Sequence, residues 1–72
     1  MTTGEMAAWT RRLKGILDGP EDIRQERLDI MLRDLQATYG VSVLIGNSTR
    51  IVMRGWFEAQ LAEAVREWRE AV

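Results

Sequence analysis

The chain has neither cysteine nor histidine in its 72 residues, and this limits how it can be held together. A domain so short buries only about 60% of the surface its unfolded chain exposes, so a lone hydrophobic core is marginal. Small domains usually add a disulfide, a structural metal, very close packing or a partner chain. Without thiols or imidazoles the first is ruled out and a structural zinc site loses its usual ligands. Close packing and association remain. A hydrophobic fraction of 46% and three tryptophans, Trp9, Trp56 and Trp68, supply side chains for both. A homo-oligomer, or a complex with another protein, is therefore expected.

The same absences remove much chemistry. Ser-His-Asp and Cys-His arrangements need residues the chain lacks. Glu21, Asp22, Glu26, Asp29 and Asp34 alternate with Arg24, Arg27 and Arg33, the pattern of a solvated helix face rather than a paired-carboxylate site. Lys14 stands among arginines near a helix end and reads as a surface residue. No glycine-rich loop matches a phosphate-binding fingerprint. The expectation is a non-catalytic protein with no cofactor and no metal. No stretch approaches 18 apolar residues, which argues against a membrane span, and no signal-peptide pattern opens the sequence. A cytoplasmic protein follows as the expectation. The Asn47-Ser48-Thr49 match to a glycosylation acceptor is then accidental.

Three helices and a hairpin are legible. Thr2 and Glu5 have capping-box spacing, and Met6, Trp9, Leu13, Ile16 and Leu17 recur at steps that share one face, so the first helix is predicted over Thr3–Leu17. Gly15 weakens its last turn by about 1 kcal/mol relative to alanine. Asp18-Gly19-Pro20 then separates two helices: Gly19 suits a helix end and Pro20 the first position of the next. The second helix is predicted over Pro20–Tyr39 with a stripe of Leu28, Met31, Leu32, Leu35 and Tyr39, and Gly40 suits a left-handed residue past its end.

Between Val41 and Met53 the pattern changes. Val41, Val43, Ile45, Ile51 and Val52 are β-branched, and Gly46-Asn47 divides them. This predicts a β-hairpin with a two-residue turn. Pairing Ile45 with Ser48 would set Val43 opposite Arg50. The rival reading is an all-α three-helix bundle with an extended segment at 41–50, which must place Gly55 inside a helix. The last helix is predicted from Gly55 or Trp56 to the end. Phe57, Leu61, Ala64, Trp68 and Ala71 form a seam near a 3.5-residue repeat, with Val65 and Val72 beside it. The fold class is thus mostly α, one small domain ordered helix, helix, β-hairpin, helix.

Two outlines invite comparison. A helix ending in Tyr39-Gly40 and followed by another helix resembles the small sporulation phosphatase hairpins, which carry Ser-x-x-Leu-Asp on the second helix. Glu58-Ala59-Gln60-Leu61-Ala62 keeps only the leucine, so that function does not carry over. Helix, hairpin and helix from Leu28 to Val72 is similar in element order to small phage head–tail joining proteins, a likeness without a shared motif. Fold analogy alone licenses no function.

The functional expectation is a protein–protein interaction module, self-associating, that serves as an adaptor, inhibitor or assembly component. Its partner interface is placed on Trp9, Leu13, Phe57, Leu61, Val65 and Trp68. The second reading is a small nucleic-acid-binding regulator using Arg11, Arg12, Arg50 and Arg54, with the Gly46–Arg50 turn offered to an anion. A formal net charge of −1 and the acidic start of the second helix stand against it.

Overall fold

The structure, a computed structural model, describes residues 1–71. Helix α1 (Thr3–Asp18) is followed by a 3₁₀ turn (Glu21–Ile23), helix α2 (Arg24–Tyr39), strands β1 (Gly40–Ile45) and β2 (Ser48–Met53), and helix α3 (Trp56–Glu70). This is the expected helix–helix–hairpin–helix order. Val72, read in sequence as a neighbour of the last seam, lies outside the described residues.

The first helix starts as its capping box dictates. Thr2 Oγ1 accepts the Glu5 N–H and Glu5 Oε1 accepts the Thr2 N–H, both at 3.1 Å. The second helix begins later than expected. Pro20 holds φ at −58° but leads into the 3₁₀ turn, and α-helical geometry starts only at Arg24. Arg24 Nη2 donates to the carbonyl of Leu17 at 3.0 Å, tying the end of α1 to the start of α2.

Gly40 corrects a second expectation. Its backbone is extended (φ −83°, ψ 150°), not left-handed. What requires glycine is proximity: a Cβ there would collide with the Gln36 carbonyl oxygen and lie 2.7 Å from Ile51 Cγ2. The chain therefore passes from α2 into β1 without a loop.

β1 and β2 pair antiparallel with Ile45 opposite Ser48, Val43 opposite Arg50 and Val41 opposite Val52. Gly46 has φ +62° and no other residue type adopts positive φ among the described residues. Glycine at the first central position with Asn47 at negative φ matches a II′ turn, whose twist suits a hairpin.

The core consists of Ile16, Leu28, Met31, Leu32, Leu35, Leu61, Ala62 and Val65. All four α2 residues come from the predicted stripe. α2 is central: α1 and α3 both pack on it, with Asp29 bonded to Arg69 at 2.8 Å and Gln25 Nε2 to the Arg69 carbonyl at 3.0 Å. These contacts join the start of α2 to the end of α3, so the two run antiparallel. The Cα radius of gyration is 13.0 Å, against about 11 Å for a closed globule of this length. The extents of 41 × 29 × 15 Å describe a flat body. Its surplus breadth reflects a hairpin that is not folded back onto the helices.

Candidate interaction surface

The structure divides the predicted interface residues into two groups. Leu61 and Val65, at 7% and 0% exposure, lie inside the chain's own core against α2. They leave no surface for a partner, because they belong to the same buried cluster as Leu28, Met31 and Leu35. Phe57 and Leu13 are partly buried and pack against the same core. The predicted 3.5-residue seam is thus rotated: α3 buries Leu61, Ala62 and Val65, and Trp68 stays 48% exposed. Trp68 sits at the open end of the α2–α3 pair, bordered by Glu21, Asp22, Arg24 and Gln25.

Trp9 is also turned inward. Its ring meets Tyr39 edge-on, with centroids 6.1 Å apart at 70°. Its Nε1 donates to the Tyr39 hydroxyl at 3.2 Å, and that hydroxyl donates to Glu5 Oε2 at 2.5 Å. The chain of bonds fastens the start of α1 to the end of α2. The Tyr39 hydroxyl, and then the Thr2 backbone and side-chain donors, hold the Glu5 carboxyl down at about 2, from an ordinary 4.5. The same bond to Glu5 raises the Tyr39 phenol. A carboxylate depressed in the fold stabilises it fully above its unfolded value and loses that contribution as pH falls through its folded value. Glu5→Gln keeps an acceptor without the charge. The wild-type advantage over Glu5→Gln is therefore expected to be constant above pH 4.5 and to vanish between pH 4.5 and about 2. Urea titrations of both proteins across that range would check it; a difference that persists at pH 2 would contradict the assignment.

The arginines do not form one site. Arg12 is bonded to Asp34 at 2.7 Å and lies over the Trp9 ring at 5.3 Å, so its guanidinium is engaged within the fold. Arg11, Arg50 and Arg54 form no ion pair among the described residues. Arg50 is mid-hairpin and Arg54 is at its base, where its N–H donates to the Tyr39 carbonyl at 3.0 Å. On the acidic face, Asp29 pairs with Arg33 and Arg69 and Asp34 with Arg12. No group of three or more acidic side chains converges on one point among the described residues. Glu58, the one buried charged residue among them, lies against Gly55 with the main-chain nitrogen of Met1 at 3.7 Å.

Several large apolar side chains remain exposed. Trp56 is 77% exposed and Leu44 72%, and Val41, Val43, Ile45, Ile51 and Val52 are each between 38% and 53%. The hairpin register sorts them. Val41, Val43, Ile45 and Val52 share one face with Ser48 and Arg50; Leu44 and Ile51 share the other with Ser42 and Thr49. Sequence reasoning missed Trp56, which precedes Phe57 and so points about 100° away from the stripe that periodicity selects. It also placed the hairpin residues without asking what would cover them; aliphatic side chains on both faces of one hairpin were the available signal.

Compared with models of protein families, with curated proteins and with solved structures, the chain shows no match. No helix among the described residues is long and apolar enough to cross a membrane.

Proposed function

We propose that this protein is a non-catalytic protein–protein interaction module of the cytoplasm, one that self-associates and serves as a small adaptor, inhibitor or assembly component. The observation that supports this is how much apolar side chain so small a fold leaves exposed, with Trp56 and the hairpin aliphatics toward one end of the α2–α3 pair and Trp68 at the other. Contiguous exposed apolar area beyond a few hundred Å² marks interaction sites, and large aromatics are enriched among residues that anchor them. Nucleic acid fits less well, since Arg12 is engaged internally and the formal charge is −1.

Size-exclusion chromatography with light scattering tests the reading. The wild-type chain is expected to exceed the monomer mass of 8.3 kDa at tens to hundreds of micromolar. Trp68→Ala is expected to weaken binding of a second protein at that end of the fold more than it lowers helix content by circular dichroism. Equal binding by Trp68→Ala and wild type would remove Trp68 from that contact. A wild-type monomer throughout would overturn self-association.

A further inference from the structure

We infer that the outer edge of β1 is the self-association surface, and that a second copy pairs its own β1 antiparallel against it about a twofold axis at Val43, making one four-stranded sheet from two hairpins. This rests on the self-associating reading above and says where that contact lies.

The geometry follows from the register. The residues flanking a two-residue turn, here Ile45 and Ser48, exchange hydrogen bonds, and bonded pairs then alternate along the ladder. Val41, Val43 and Ile45 thus direct their backbone groups to β2. Ser42 and Leu44 direct theirs outward, and the sheet has only two strands, so no third strand receives them among the described residues.

Charge separates the two edges. β1, Gly-Val-Ser-Val-Leu-Ile, has no charged residue and no proline. Natural edge strands avoid this composition because it templates pairing with another chain. β2 carries Arg50 at mid-strand and is followed by Arg54. Pairing β2 with its own copy about Arg50 sets two guanidinium groups opposite each other, and pairing about Val52 sets Arg50 opposite the copy's Arg54, both unfavourable; pairing about Ile51 avoids that but still carries Arg50 into the strand contact, opposite the copy's Val52. The edge of β1 meets no such penalty.

The strand is also complementary to itself. With the axis at Val43, Ser42 of each copy falls opposite Leu44 of the other. These are the outward-directed residues, so each such pair exchanges both of its hydrogen bonds. Val43 meets Val43 of the copy and Val41 meets Ile45, so these aliphatic pairs lie on one face, flanked on β2 of each copy by Val52, Arg50 and Ser48. A contact along one six-residue strand is smaller than the roughly 800 Å² per partner of a standard interface. The dimer is accordingly reversible, and a test that traps it is the right one.

The absence of cysteine makes such a trap clean. At the axis, a non-hydrogen-bonded antiparallel pair has Cα atoms about 4.5 Å apart, inside the roughly 4.4–6.8 Å span of a disulfide. Val43→Cys, mildly oxidised, is expected to give a covalent dimer at several times the yield of Ile45→Cys, whose two copies lie about 13 Å apart along the strands. An equimolar mixture of Val41→Cys and Ile45→Cys is expected to cross-link between the two variants. Circular dichroism of each variant confirms that the fold is retained. If the wild type associates by mass but Val43→Cys cross-links no better than Ile45→Cys, the edge assignment is overturned and self-association stands elsewhere. If the wild type remains monomeric at several hundred micromolar, both fall, and the β1 edge is left to a foreign strand.

Discussion

Leu35→Ala is expected to leave the domain largely unfolded at room temperature. Leu35 is fully buried, with Leu28, Met31 and Val65, where α1, α3 and the base of the hairpin converge on α2. Truncating a leucine at such a site removes its transfer free energy and leaves a cavity, together about 2–5 kcal/mol. A core in a chain of this length rarely supplies more than about 3–5 kcal/mol of net stability, so the substitution consumes most of it. Urea unfolding followed by circular dichroism should show the transition shifted to very low denaturant or lost. Ile30→Ala, on the same helix but 43% exposed, is expected to shift the midpoint little, since surface substitutions usually stay within about 0.5 kcal/mol. Similar losses for the two would mean that the core is not where the burial pattern sets it.

Gly40→Ala is expected to destabilise by about 1–3 kcal/mol, the usual range for forcing extra volume into a packed position. The reason is steric rather than conformational: the backbone there is extended and open to any residue. The added methyl would meet the Gln36 carbonyl, which is helix backbone and cannot swing aside, and the Ile51 methyl at 2.7 Å. Relief requires β1 to move off the end of α2. The hairpin hangs from that junction, so the substitution should also release the Arg54 N–H from the Tyr39 carbonyl. Gly15→Ala provides the opposite sign. Gly15 is helical, and an added Cβ there has nothing within 4 Å, so a gain of up to about 1 kcal/mol is expected. Thermal unfolding of the two variants beside wild type checks both; a harmless Gly40→Ala would contradict the tight passage from helix to strand.

Much of the architecture was legible because its signals are local. A Thr and a Glu three apart write a capping box without help from the rest of the chain. The α2 stripe declares a buried face by spacing alone, and Gly46-Asn47 between β-branched runs declares a hairpin and, with it, the register that puts Val43 beside Arg50. Composition alone set aside His- and Cys-based chemistry, and length alone argued for association.

The fate of each aromatic and leucine was not legible. Periodicity says that Leu61, Val65 and Trp68 share a side of α3; it does not say how far α2 reaches along that side. α2 covers Leu61 and Val65, whereas its charged, 3₁₀-wound start leaves Trp68 half open. Trp9 looked like a docking residue until Tyr39, thirty positions away, was brought to its indole nitrogen. Gly40 was marked by sequence as special, but its reason, a carbonyl and a methyl with no room for a Cβ, exists only once helix and strand are juxtaposed. Local rules determine which segments form and which residues are apolar. Only tertiary packing decides which apolar side chains the chain covers itself and which it leaves exposed, because a small domain has too little chain to bury them all.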